Sequence, residues 1–248
     1  MPPRIDFTSQ RLFVDGALSE GAVLQLTNAQ AHYLLTVLRM ETGAGLLAFN
    51  GRDGEWRVEV ERQSKRAGTL HVLEQTRPQA PANNLWFLFA PIKKDRLGWM
   101  VEKAVEMGVG HIAPVITDYT QSPKLRMDKL QAHGVEAAEQ CGVLAVPSFG
   151  EPQPLDAVLA AWPEDRALIF CDEQAEVADP AQALEGLRGQ PLAVLIGPEG
   201  GFSQSERDQL CNLSSICTIA LGPRILRTDT AAVAALSAVQ MAAGDWAS

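Results

Sequence analysis

Between residues 11 and 77, apolar and polar positions alternate in short runs: RLFVD (11–15), AVLQL (22–26), GLLAFN (45–50), EWRVEVE (55–61) and GTLHVLEQ (68–75). A period of two puts every second side chain on one face, and glycine-containing turns separate the runs, so this region predicts a small β-barrel. One stretch breaks the pattern. In NAQAHYLLTVLRM (28–40), Ala31, Leu34, Leu35 and Leu38 fall at i, i+3, i+4 and i+7, which predicts an amphipathic helix packed on the barrel.

The segment RPQAPANN (77–84) is rich in proline and polar residues and reads as a linker between independently cored units. The expected organisation is a barrel over 1–78, a linker over 79–84 and a second domain over 85–248. Beyond the linker the period changes. LWFLFAPI (85–92) reads as an apolar strand, RLGWMVEKAVEMG (96–108) as a helix stopped by Gly108, and HIAPVIT (111–117) as another strand. Further strands at ALIFCDE (167–173), PLAVLIGP (191–198) and SICTIALGP (215–223) alternate with helical segments. That alternation predicts a parallel α/β sheet covered on both faces, with ligands bound beyond the carboxyl ends of its strands.

Composition narrows the chemistry. No apolar run is long enough to span a bilayer and the start lacks a secretory signal, so the expected location is the cytoplasm. The four cysteines, Cys141, Cys171, Cys211 and Cys217, form no CxxC pair and lack histidines at zinc-finger spacing, so neither a metal site nor a disulfide framework is expected. The net charge of −9 argues against a general nucleic-acid binder, yet residues 1–78 carry nine basic and nine acidic residues. The acidity therefore lies wholly in the rest of the chain, and the barrel can still present a basic face.

Two strands end in similar punctuation, AVLIGPEGGF (193–202) and IALGPRILRT (219–228). Glycine at a strand's end lets backbone approach a ligand and proline stiffens the following turn, so two such loops suit a flat polar heterocycle. GxGxxG and GxxxxGK[ST] are both absent, which removes support for hydride transfer and for a kinase. Glu102 and Glu106 lie at i,i+4 and read as like charges on a solvated helix face. Arg227 stands just before Thr228, Asp229 and Thr230, which read as the capped start of an alanine-rich helix.

LIGPEGGFSQSE (195–206) and LGPRILRTDTAA (221–232) resemble the signature of the SPOUT-type family that methylates N3 of a uridine in small-subunit ribosomal RNA. Supporting blocks are AHYLLTVLRM (31–40), KKDRLGWMVEKAVEMGV (93–109) and EQCG (139–142). The resemblance implies an α/β fold, a SPOUT trefoil-knot domain preceded by a PUA-like β-barrel for RNA docking, working as a homodimer. It implies S-adenosylmethionine as cofactor, held by Leu195, Gly197, Pro198, Glu199 and Gly200, by Leu221, Gly222, Ile225 and Leu226, and more weakly by Cys171. Arg227 is the candidate stabiliser of negative charge developing on uracil as N3 loses its proton. The candidate RNA contacts are Arg11 and Arg39 on the barrel and the basic run Lys93, Lys94 and Arg96. The chain departs from the family pattern at Tyr119 and Val143, where arginines are common. Two alternatives stay open: a related methyltransferase acting on another RNA position such as a ribose 2′-hydroxyl, and an RNA-binding assembly protein with a vestigial site.

Overall fold

A computed structural model describes residues 6, 8–121, 125–172, 175 and 180–247, without the side chains of 94, 95 and 247. The chain forms two compact units, one of residues 1–81 with 138–146, the other of 82–137 with 147–248.

In the first unit, β1 (Arg11–Phe13), β2 (Val23–Gln25), β3 (Gly45–Phe49), β4 (Glu55–Arg62) and β5 (Gly68–Arg77) make a sheet in the order β1-β3-β4-β5-β2. β1 and β3 run parallel and the other pairs antiparallel. The alternation is visible in β4, where Val58 and Val60 point inward while Arg57, Glu59 and Glu61 face solvent. The sheet curls around Leu12, Val14, Leu46, Ala48, Val58, Val60, Leu70 and Val72.

The helix α1 (Asn28–His32) starts as expected, with Thr27 and Gln30 forming a capping box. It then widens into a π-helical turn over Tyr33–Val37, closed by Leu38 N–H donating to the Tyr33 carbonyl at 2.9 Å. Ala31, Leu34 and Leu35 are buried, but the wider turn rotates the chain and leaves Leu38 39% exposed, so the fourth predicted face position is lost. Arg39 follows with φ of 56°, a left-handed conformation that non-glycine residues rarely adopt.

The second unit contains β6 (Leu85–Phe89), α2 (Lys94–Glu106), β7 (His111–Ile116), α3 (Met127–Cys141), β8 (Ser148–Phe149), β9 (Gln153–Pro154), α4 (Leu155–Ala160), β10 (Ala167–Cys171), α5 (Pro180–Glu185), β11 (Leu192–Ile196), α6 (Gln204–Cys211), β12 (Ile216–Ile219) and α7 (Thr228–Ala242). Its sheet runs β12-β10-β11-β6-β7-β8, with β9 also beside β7. Every pairing is parallel. Helices cover both faces, which is why β11 is buried at all five positions and why Phe87, Phe89, Phe170 and Ile169 lose all solvent contact. Gly108, at φ of 77°, ends α2 as expected and turns the chain toward β7.

The last residues of α3 and the loop behind it, 138–146, group with the first unit, although they lie beyond the 79–84 linker in sequence. The Glu139 carboxylate accepts the Phe13 N–H at 2.8 Å, and the Gly142 carbonyl accepts from Arg77 at 3.1 Å. The EQCG block is thus a tie to the sheet of the first unit. That sheet hides one predicted RNA contact. Arg11 is 4% exposed and donates to Glu55 at 2.9 Å, and Arg77 grips both oxygens of the same carboxylate at 2.9 and 2.6 Å. Arg11 is therefore a structural cation and not a surface for phosphate.

Candidate functional site

The two Gly-Pro loops leave strands that are not neighbours: β10 lies between β12 and β11. Adjacent strands sit about 4.8 Å apart, so the loops stand about 10 Å apart with the end of β10 between them. In register, Cys171 lies beside Ile219, and the preceding Phe170 lies beside Leu195. Three loops therefore leave one edge of the sheet together, after β12, β10 and β11. Strand order decides this, and the sequence reading of two adjoining loops needs the third inserted.

The predicted residues divide by burial. Leu195 is 1% exposed and packs into the core with Phe170 and Leu88, so its side chain is unavailable to a ligand. Pro198 is buried, Gly197 half-buried, and Glu199 and Gly200 exposed. Gly197 is required sterically, because a Cβ there would lie 2.6 Å from the Phe202 ring. That ring cannot easily yield, being set edge-on to the buried Phe170 at 5.1 Å. Pro198 and Gly201 close a tight turn through a backbone hydrogen bond of 2.9 Å.

On the other side, Gly222 adopts φ of 93° with open space around it, so glycine serves conformation there rather than clearance. Residues 221–226 form no hydrogen bond among the described residues, leaving a row of backbone donors and acceptors without protein partners. Ile225 is 92% exposed, while Leu221 and Leu226 are half-buried. Cys171 is half-buried, and burial together with the nearby Cys217 pushes its thiol well above its ordinary pKa, which keeps it neutral.

Arg227 itself is the N-cap of α7, and its side chain makes no capping bond. The expected cap from Thr228 and Asp229 is absent because both already lie in the first helical turn, where Thr228 is buried. The guanidinium of Arg227 is exposed and has no partner among the described residues. Asp229, by contrast, is held by Arg96 at 3.4 Å. That ion pair brings the basic run at the start of α2 beside the start of α7. Lys93 is exposed there, and the side chain of Lys94 lies outside the described residues.

Sequence reading missed Glu206. One carboxylate oxygen accepts the Ser203 N–H at 2.9 Å, closing a capping box at the start of α6, and the other accepts the Asp118 N–H at 2.8 Å. The spacing Ser203-x-x-Glu206 was the signal for the box, but nothing in the chain order could show the second contact, 88 residues away.

Comparison with known proteins agrees with this geometry. Residues 78–240 match the family model for an RNA methyltransferase domain, and residues 26–73 that for an RNA methyltransferase PUA domain. The chain is 28% identical to a ribosomal RNA small subunit methyltransferase E of Rickettsia conorii, across 93% of this chain and 95% of that one. It is 26% identical to the Bacillus subtilis protein of the same name, over the same shares. Among solved structures, a putative methyltransferase from Legionella pneumophila in complex with S-adenosylmethionine superposes with a TM-score of 0.82 at 30% identity, covering 95% and 98% of the two chains. A Neisseria gonorrhoeae ribosomal RNA small subunit methyltransferase E bound to the same compound gives 0.83 at 26% identity, covering 96% and 99%. With a parallel α/β unit matched over most of its length, a curled N-terminal sheet matched to a PUA domain, and full-length relatives of one name, the chain belongs to the RNA methyltransferase family.

Proposed function

We propose that the protein transfers a methyl group from S-adenosylmethionine to N3 of a uridine in small-subunit ribosomal RNA, in the cytoplasm. The observation that carries the reading is the trio of loops after β12, β10 and β11, with unpartnered backbone along 221–226 facing across Cys171 toward the glycine-lined loop 197–201. The backbone of Gly197, Gly200, Leu221 and Gly222 would hold the adenine edge, with Pro198, Leu226 and Ile225 supplying apolar contact and Glu199 at the rim. When bound, the cofactor supplies an electrophilic methyl on a sulfonium, and alignment of the attacking nitrogen provides much of the rate.

The protein's remaining task is the N3 proton and the negative charge that its loss leaves on uracil. Arg227 is the candidate to stabilise that charge, a reading supported by its exposure and by the lack of a carboxylate partner among the described residues. Asp229 is engaged with Arg96 and is a poor candidate for the base. On the first unit, Arg39 remains the RNA contact of choice, since its rare backbone conformation holds it out at the end of the π-turn beside exposed Val37. Lys93 and Lys94 serve the same end in the second unit, which carries the trefoil knot in this reading. A homodimer suits the exposed apolar side chains of Trp99 on α2, Met241 in the last turn of α7 and Trp246 just beyond it.

Calorimetric titration with S-adenosylmethionine tests the cofactor, and nucleoside mass spectrometry of treated small-subunit RNA tests the target. A 3-methyluridine product is expected. A 2′-O-methyl product would replace the target, and absence of cofactor binding would replace the enzyme with an RNA-binding protein.

A further inference from the structure

Glu206 is 7% exposed, and among the described residues its carboxyl oxygens have backbone N–H groups and no cation as hydrogen-bond partners. A buried carboxylate is costly unless it is satisfied, and here two backbone N–H groups satisfy it, one on each oxygen. One of them belongs to its own capping box; the other, Asp118 N–H, comes from the turn after β7. Asp118 answers in kind, its side chain accepting from the Ser203 hydroxyl at 2.6 Å. The same turn is stiffened by Thr117 N–H donating to the Thr120 hydroxyl at 2.9 Å. One residue further along α6, Arg207 pairs with Asp172, which is 6% exposed, in the loop after β10. The first turn of α6 thus holds Asp118 in the turn after β7 and Asp172 at the end of β10, and it begins directly behind the Gly-Pro loop of β11.

The Gly-Pro loop is also pressed onto the β7 turn. A Cβ on Gly200 would lie 3.2 Å from the Tyr119 Cβ, and Tyr119 is half exposed at the loop's flank.

We propose that Glu206 is a positioning residue that, with Arg207, ties the turn at 117–120 after β7 and Asp172 at the end of β10 to the Gly-Pro loop of β11 and so sets the affinity of the cofactor site. The consequence for affinity rests on the cofactor reading above; the locking does not. Without the Glu206 tie, Asp118 N–H and Ser203 N–H lose their acceptor, and the loop bearing Gly197 and Gly200 must be ordered at the moment of binding, a cost that appears as weaker binding.

The test compares full-length Glu206→Ala, Glu206→Gln and Arg207→Gln with the unaltered protein. Amide hydrogen exchange without cofactor should accelerate at least tenfold at Asp118, Tyr119 and Gly200 in Glu206→Ala, with protection of Val194 and Ile169 unchanged. S-adenosylmethionine should bind the folded variant at least tenfold more weakly. Glu206→Gln, which keeps one acceptor and turns a donor toward the other N–H, should recover part of both losses. Loop exchange unchanged in Glu206→Ala overturns the proposal. So does uniformly faster exchange with unaltered affinity of the folded fraction, the mark of a merely structural role. If Glu206→Ala fails to fold, Arg207→Gln decides by the same two measurements. Absence of cofactor binding in the unaltered protein overturns the cofactor reading, and the exchange rates then decide the lock by themselves.

Discussion

Replacing Glu55 by Gln should destabilise the first unit by about 3–5 kcal/mol, the usual cost of removing one partner from a buried ion pair. The carboxylate is 2% exposed and sits between Arg11 at 4% and Arg77 at 11%, so solvent screens none of the three appreciably. Glutamine keeps the shape and can still accept from one arginine, but its amide nitrogen faces the other donor and both cations lose their counter-charge. The upper part of the range applies if neither arginine can swing to water, and Arg11 is held in place by its burial and by a second hydrogen bond to the Asp6 carbonyl.

Acid should imitate the substitution. Burial by itself would raise the Glu55 pKa, but the hydrogen bonds from Arg77, Arg11 and Thr76 outweigh it and hold the group below its ordinary value. A depressed carboxylate contributes stability that is present above its unfolded pKa and lost as pH falls through the folded one. Urea unfolding at pH 7 and again near pH 3 is the assay. The gap between Glu55→Gln and the unaltered protein should be large at pH 7 and narrow at pH 3. A gap under about 1 kcal/mol at pH 7, or one of equal size at both pH values, would refute the reasoning, because Glu55 would then not compensate the arginines.

Arg227→Ala should lower turnover by about 10²–10³-fold, the scale of one lost charge-stabilising donor, with cofactor affinity little changed by calorimetry; equal losses would make Arg227 a binding residue. Arg39→Gly relieves the left-handed conformation and should hold or raise thermal stability by up to about 1 kcal/mol while raising the KM for RNA, whereas a stable variant with unchanged KM would remove Arg39 from the RNA surface. Gly197→Ala places a methyl group 2.6 Å from the Phe202 ring and should cost about 1–3 kcal/mol in denaturant titration, with tolerance refuting the close approach. Desolvation, then the charge of Arg166, lowers the His111 pKa, so stability should fall as pH drops below the ordinary histidine range and His111→Gln should flatten that slope.

Local pattern determined much of this protein. The period of two along β4 and the apolar runs of β6, β10 and β11 report whether one or both faces of a strand are covered, a property each residue carries in its own side chain. Gly108 and the two Gly-Pro loops were legible for the same reason, since their backbone requirements are local. The π-turn at Tyr33–Val37 was not legible, because the extra residue per turn is set by how Leu34 and Leu35 meet the sheet, and it moved Leu38 into solvent. Arg11 and Arg39 look alike as arginines in a neutral segment; only the fold buries one against Glu55 and projects the other. The insertion of β10 between the two signature strands, and the reach of Glu206 across 88 residues to Asp118, depend on strand order and crossover connections. Those are settled by which surfaces can be buried together, a global balance that leaves no trace at any single position, and they are what brings three separate strand ends to one edge of the sheet.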